Sequence, residues 1–274
     1  MILRPLLVSL VVLATVACSK EPEKAPPPPP EPIAELSAQE VIALEGTPSS
    51  TPSFEDETEP PSAKVDGLEG APGPSPAMGP IDAPVRVYVF TDFQCPVCRR
   101  IVEPVKYLAR RHPQDVRIVL KHNALASHGR SAAMAAASTA TFRQKKFWGF
   151  YDRAFLVDRF DDESILAHAQ WFNLDLDRFK KDQVDPAVVG QVKYETQLAE
   201  RFELRSTPGF IVNGQMQMGW GSYGGLGSAV DRELERAKKV AAEGVPAARV
   251  AYEATRRAPE KGEALAAALF PPMK

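Results

Sequence analysis

The hydrophobic pattern divides the chain unevenly. Residues from Leu6 to Val16 are almost all apolar, follow a single Arg4, and lead through Ala17 to Cys18. From about residue 20 to 78 apolar side chains are few and keep neither the helical nor the strand period. Val85 to Thr91 (VRVYVFT) is rich in β-branched and aromatic residues and predicts a buried strand. Arg99 to His112 predicts a helix kinked at Pro104. Trp148, Phe150, Tyr151, Phe155, Trp171 and Phe172 fall at helical spacing and predict the core of further helices. Phe210 to Val212, Asn213-Gly214 and Gln215 to Met218 predict a strand, a type I′ turn and a strand. Pro208, just before that hairpin, belongs at a strand's first residue or on an edge, because proline gives no N–H to a ladder. Gly219 to Gly225 predicts a flexible loop in which Trp220 or Tyr223 could line a groove, and Asp231 to Val240 an amphipathic helix. A last helix is expected from Val245 to Arg257, followed by a weakly ordered tail. No internal repeat is evident.

Charge sharpens the division. The 274 residues carry a net charge of −2, but residues 21 to 79 hold 12 Asp/Glu against 2 Lys/Arg, and residues 80 to 274 hold 29 Lys/Arg against 23 Asp/Glu. The acidic stretch also holds 14 of the 26 prolines. With so little apolar surface to bury it cannot offset its ordering entropy, so residues 18 to 78 are expected to be a disordered or polyproline linker ahead of a domain starting at 79. Ser37 to Glu40, before Val41 and Ile42, fits a capping box for a short helix within it. The composition excludes a strongly basic nucleic-acid binder, and with 3 cysteines it excludes a disulfide scaffold.

Residues 1 to 17 have the layout of an export signal: a basic start, a short apolar stretch and a small residue at the cleavage point. The segment Ala14 to Cys18 resembles a bacterial lipoprotein signal, in which Cys18 is lipidated and becomes the N-terminus, although Thr15 stands where Leu is usual. Ordinary cleavage and an uncleaved anchor are the alternatives. A flexible arm of 59 residues would hold the domain roughly 40–45 Å from the lipid. The expected location is periplasmic and lipid-anchored, on the outer membrane if Ser19 acts as a sorting signal, or at the cell surface in a source with one membrane.

Export into an oxidising compartment bears on the two remaining cysteines, Cys95 and Cys98, in the sequence Cys-Pro-Val-Cys. The motif sits where a strand gives way to a helix. Free N–H groups and the macrodipole at a helix N-terminus favour an anion, which makes Cys95 the accessible thiolate nucleophile and Cys98 the buried resolving thiol. Pro96 suits the first helical turn because it has no N–H to leave unpaired, and Asp92 suits a turn or cap position. Half a zinc site is the first alternative, but His112, His122, His128 and His168 show no paired spacing. A structural disulfide is the second, and so short a loop would constrain the unfolded chain little.

Gly79 to Cys98 (GPIDAPVRVYVFTDFQCPVC) resembles the active-site segment of the DsbA-like thioredoxin-fold oxidoreductases. Val116 to His122 resembles their next strand, and His128 through Phe155, with Lys146-Phe147-Trp148, resembles the start of their helical insertion. Arg205 to Gly214 (RSTPGFIVNG) resembles the segment holding their cis-proline. The resemblance implies an α/β thioredoxin fold over residues 79–242, an all-helical insertion at about 124–200, and a helical tail over 243–274. It also implies a cis Thr207-Pro208 bond beside Cys95, with the Thr207 backbone pairing to a substrate strand; on position alone an ordinary trans turn would be preferred. Many relatives carry Glu where Val89 stands, and the Pro-Val dipeptide lacks the imidazole of the most oxidising ones. The implied activity is thiol–disulfide exchange on exported protein thiols or disulfides, in the oxidising direction, with no metal or organic cofactor. A disulfide reductase and a non-catalytic thioredoxin-fold binding module are the alternatives. The implied partners are protein substrates, a membrane redox partner and, through the lipid, the membrane itself, but no nucleic acid; the chain is expected to be a monomer.

Overall fold

The structure, a computed structural model, describes residues 56–272; the export signal, Cys18 and the capping box at Ser37 lie outside them. The described strands form one sheet: β1 (Glu57–Glu59), β2 (Ser75–Met78), β3 (Val85–Thr91), β4 (Val116–His122), β5 (Gly209–Val212) and β6 (Gln215–Met218), in the order β1-β2-β4-β3-β5-β6. The two long apolar segments pair in parallel at its centre, Val85 opposite Val116 and Thr91 opposite His122, and every residue of both is buried. Helices α1 (Pro96–Arg99) and α2 (Val102–Arg111) make the crossover between them. Between β4 and β5 lies the expected insertion: α3 (Ser131–Phe142), α4 (Phe147–Ala154), α5 (Asp162–Trp171), α6 (Leu176–Gln183) and α7 (Pro186–Arg201). After β6 come α8 (Tyr223–Ala242), α9 (Ala247–Arg256) and α10 (Gly262–Leu269).

Strand alternation divides the core. Val85, Val87 and Val89 pack with α2, α8 and the aromatic residues of the insertion, while Tyr88, Phe90 and Val119 face α7, α9 and α10. The hairpin forms as predicted: Asn213 and Gly214 both have positive φ, at 42° and 87°. A side chain at Gly214 would bring its Cβ within 2.6 Å of the Ala258 Cβ, so the turn needs glycine for space as well as for conformation. Asn213 accepts from Arg86 N at 2.9 Å and donates to Pro84 O at 2.9 Å, which ties the turn to the start of β3.

Several expectations are corrected. The linker predicted to run to residue 78 contributes β1 and β2, and its acidic side chains explain why: Glu57 and Glu59 bond to Arg117, Glu59 also to Arg86, and Asp56 accepts from the N–H groups of Phe147 and Trp148 at the start of α4. The helix break falls at Arg100 and Ile101 instead of at Pro104, since proline offers no N–H to the carbonyl four residues back and its ring would strike that carbonyl. The Gly-rich loop is shorter than expected: Ser222 caps α8 by accepting from Gly225 N, and Leu226 is buried. The tail is not weakly ordered. Leu265, Leu269 and Phe270 of the α10 region are buried, and Tyr88 donates to Leu269 O at 2.9 Å. Trp148, Phe150, Tyr151 and Phe155 are core as predicted, but Trp171 is exposed, with the Arg153 guanidinium 3.9 Å from its ring centre.

Candidate active site

Beyond Thr91 the chain leaves the sheet through a turn in which Cys95 N donates to Asp92 O at 3.1 Å. Cys95 then occupies the N-cap position of α1 with extended backbone, and Pro96 opens the helix. The two sulfurs are present as thiols, both buried; Cys95 keeps 7% of its surface exposed and Cys98 none. The expected contrast between an open nucleophile and a hidden partner is thus narrower than the sequence implies, because both cysteines belong to the hydrophobic core and the Thr207 carbonyl lies against the Cys95 sulfur.

The thiols differ in acidity. The hydrogen bond from the Cys98 thiol lowers Cys95 to about 5 against the opposing effect of burial, and the Thr207 side chain and the N–H groups of Cys98 and Val97 lower it further. The helix N-terminus, expected to be the main cause, contributes only through those two N–H groups, because α1 is a single turn. Burial pushes the Cys98 thiol up, and the neighbouring Cys95 pushes it the same way. Cys95 Sγ donates to Thr207 O at 3.3 Å, and the Thr207-Pro208 bond is cis. Residues 112 positions apart in sequence are therefore in direct contact at this site.

Of the two positions expected for Asp92 the structure gives the turn and not the helix cap, and its side chain also braces the motif. Its buried carboxylate accepts from Gln94 N at 2.8 Å and Leu125 N at 3.0 Å and lies 2.8 Å from His128 Nδ1. Gln94 Oε1 accepts from Arg130 N at 2.6 Å. Together these bonds fasten the turn before Cys95 to the loop entering α3. His128 thus belongs to the support of the motif, and the N-cap of α3 is Arg130.

Two residues beside Cys98 went unnoticed in the sequence. Thr91, the last residue of β3, has its hydroxyl next to the Cys98 thiol and next to the phenol of Tyr151 on α4. Both hydroxyl oxygens are buried, and neither contact has the geometry of a full hydrogen bond in this thiol form. A polar residue ending a wholly buried strand four positions before Cys95 was the available signal for Thr91; for Tyr151, an aromatic among aromatics, there was none. Among the described residues no group of three or more His, Cys, Asp or Glu side chains is placed to hold a metal ion, and no helix is long and apolar enough to cross a membrane.

Comparison with known proteins agrees with this geometry. A family model described as Thioredoxin matches residues 73–232. Na(+)/H(+) antiporter NhaA 3 of Salinispora tropica is 32% identical over 154 residues, which are 56% of this chain but 24% of that protein, so the chain spans about a quarter of this relative's length. Probable disulfide bond formation protein D of Bacillus anthracis is 27% identical over 172 residues, covering 58% of this chain and 78% of that one. A thioredoxin-like oxidoreductase from Silicibacter pomeroyi superposes with a TM-score of 0.54 at 26% identity, over 59% of this chain and 92% of its own. With the parallel β3–β4 core, the helical insertion and a cis-proline segment beside paired cysteines, the chain belongs to the thioredoxin family and is built as the DsbA-like thiol–disulfide oxidoreductases are.

Proposed function

We propose that this protein is an exported thiol–disulfide oxidoreductase that oxidises the thiols of other exported proteins through Cys95 and Cys98. The observation that carries the reading is the acidity of Cys95, lowered to about 5 while Cys98 is raised. A stabilised Cys95 thiolate favours the reduced form of the pair and makes Cys95 a good leaving group, both of which favour passing the disulfide on. In the reaction a substrate thiolate attacks Cys95 Sγ of the Cys95–Cys98 disulfide and Cys98 departs. A second substrate thiolate then attacks the substrate sulfur of the mixed disulfide and releases Cys95 as thiolate. Two substrate thiols become a disulfide, the Cys95–Cys98 disulfide becomes a dithiol, and a membrane redox partner takes up the two electrons to restore it. The Thr207 carbonyl against Cys95 marks where an extended substrate backbone would lie, with Pro208 fixing the approach. Residues 1–17 serve as the export signal and Cys18 as the lipid anchor, which leaves the domain working at a distance from a membrane as a monomer.

The test is a redox titration of the Cys95–Cys98 pair together with oxidation of a reduced peptide and reduction of insulin, by the wild type and by Cys95→Ser. Oxidation of the peptide, abolished in Cys95→Ser, supports the reading. Insulin reduction alone would favour a reductase, and inactivity in both assays a binding module. For the anchor, mass spectrometry of the mature N-terminal peptide should show a lipidated Cys18; an unmodified Cys18 refutes the tether and leaves the redox assignment in place.

A further inference from the structure

In either direction of exchange Cys98 is for a moment a thiolate enclosed by protein, and the groups around it decide how readily that anion forms. On the face of β3 that looks toward Cys98 stand Val85, Val87, Val89 and Thr91, so Thr91 carries the one polar side chain among them. The Tyr151 ring is held by Phe93, Phe147, Trp148 and Phe155, at centroid distances of 5.9, 5.8, 5.6 and 5.1 Å. That cage fixes its hydroxyl beside Thr91. Both hydroxyl oxygens are buried and neither makes a hydrogen bond of good geometry in the thiol form, while Thr91 interacts with both Cys98 and Tyr151.

We propose that Thr91 is a catalytic residue that donates its hydroxyl hydrogen to Cys98 Sγ as the thiolate forms, and that Tyr151 is a positioning residue that donates to Thr91 Oγ1 and holds it in that orientation. The proposal rests on the thiol–disulfide reading but not on its direction. When a substrate thiolate attacks Cys95 Sγ, the substrate–Cys95 bond forms, the Cys95–Cys98 bond breaks and its electron pair passes to Cys98 Sγ, where the Thr91 hydroxyl meets it. Cys98 then takes the proton of the second substrate thiol, whose thiolate completes the exchange. In the reverse sense Cys98 gives its proton to the first substrate sulfur released, its thiolate then attacks Cys95 Sγ of the mixed disulfide, the Cys95–Cys98 bond forms and the other substrate sulfur leaves as a thiolate. Because Thr91 stabilises a species common to both directions, its loss should slow both equally and leave the equilibrium potential at neutral pH nearly unchanged. A residue that merely held the fold would not produce that signature.

The experiment loads Cys95 with glutathione and follows its release by Cys98 against pH in the wild type, Thr91→Val, Thr91→Ser and Tyr151→Phe, with alkylation of Cys95 measured in parallel. Thr91→Val should release glutathione about tenfold more slowly, as expected for losing a hydrogen bond to a charged group. Its pH profile should move upward, Thr91→Ser should return to the wild-type profile, and Tyr151→Phe should show a smaller change in the same sense. The Cys95 alkylation profile should stay where it is. Wild-type release by both Thr91→Val and Tyr151→Phe overturns the proposal, as does an alkylation profile displaced as far as the release profile. If Thr91→Val does not fold, Tyr151→Phe decides alone, since it removes one unbonded oxygen. A wild type that neither forms nor resolves the mixed disulfide overturns the functional reading itself; an active wild type with indifferent variants overturns this assignment only.

Discussion

Arg117 on β4 donates through Nε to Glu59 on β1 at 2.7 Å, and each side chain is 1% exposed. Arg86 bonds to the other oxygen of the same carboxylate and Glu57 also accepts from Arg117, so one carboxylate bridges two guanidinium groups of the central strands and a second acid from the proline-rich arm completes the charge balance. Removing one member of a buried charge network leaves the others unpaired in a medium that solvates them poorly. Glu59→Gln should therefore destabilise the domain by about 3–5 kcal/mol. A chain starting at residue 79, which loses Asp56, Glu57 and Glu59 together, should not unfold cooperatively, whereas one starting at residue 56 should. Urea unfolding followed by circular dichroism compares them, and an equally stable chain from residue 79 would show that β1 is dispensable.

Cys95 should react with iodoacetamide with a midpoint near pH 5, while Cys98 stays unmodified until the protein unfolds. The linkage has a definite sign. A thiol lowered in the folded state is a thiolate where the unfolded chain still holds the proton, so it contributes stability to the reduced protein in full above its unfolded value of about 8.5, and that contribution is gone once the pH has fallen through about 5. The stability difference between the reduced wild type and Cys95→Ser should shrink over that window as the pH is lowered. A difference that stays constant would mean that Cys95 is protonated in the native state.

Lys121 and Glu195 form a second buried pair at 3.1 Å on the opposite side of the sheet from Cys98, with Ser75 between them; Glu195 also accepts from His122 N at 2.8 Å. Burial pushes the Glu195 carboxyl up, but Lys121 and the other donors outweigh it and hold the group below its usual value. Glu195→Ala should cost about 3–5 kcal/mol, because the Lys121 ammonium is left in the core. Replacing both by Lys121→Met and Glu195→Leu should recover most of that loss. A double variant as unstable as the single one would show that Glu195 matters through its bond to His122 N instead.

Leu269 is buried on the sheet face that carries Tyr88 and Phe90, and its carbonyl accepts from the Tyr88 hydroxyl. Leu269→Ala should destabilise the protein by about 2–5 kcal/mol through the cavity it leaves. Truncation after residue 258 should be worse, since it uncovers Tyr88 and removes α10. Thermal unfolding of the two variants tests this; unchanged melting temperatures would make α10 an ornament of the surface.

The site and the core were legible where short-range pattern and chemistry coincide. Val85 to Thr91 is a run of β-branched and aromatic residues whose alternation no other element satisfies, Asn213-Gly214 suits the positive φ angles that a tight hairpin requires, and a Cys-x-x-Cys at a strand-to-helix junction has few uses in an oxidising compartment. The pairing of Cys95 with Thr207 was foreseen through the resemblance of two separate motifs, because nothing local says that they meet.

Only the tertiary structure decided the rest, and in each case the deciding partner lies far along the chain. Glu57 to Glu59 has no strand signal of its own; it becomes a strand because Arg86 and Arg117, which the sheet buries, need its carboxylates. Ala-rich Gly262 to Leu269 has little amphipathic contrast, and becomes a packed helix because Tyr88 and Phe90 need a cover. Asp92 could have capped a helix by its position, but the carboxylate turns toward Leu125 and His128, which the β3–β4 pairing brings alongside. Thr91 and Tyr151 carry no motif at all. Their meeting at Cys98 depends on where the inserted α4 sets its aromatic cage, and local sequence periodicity contains no information about that distance.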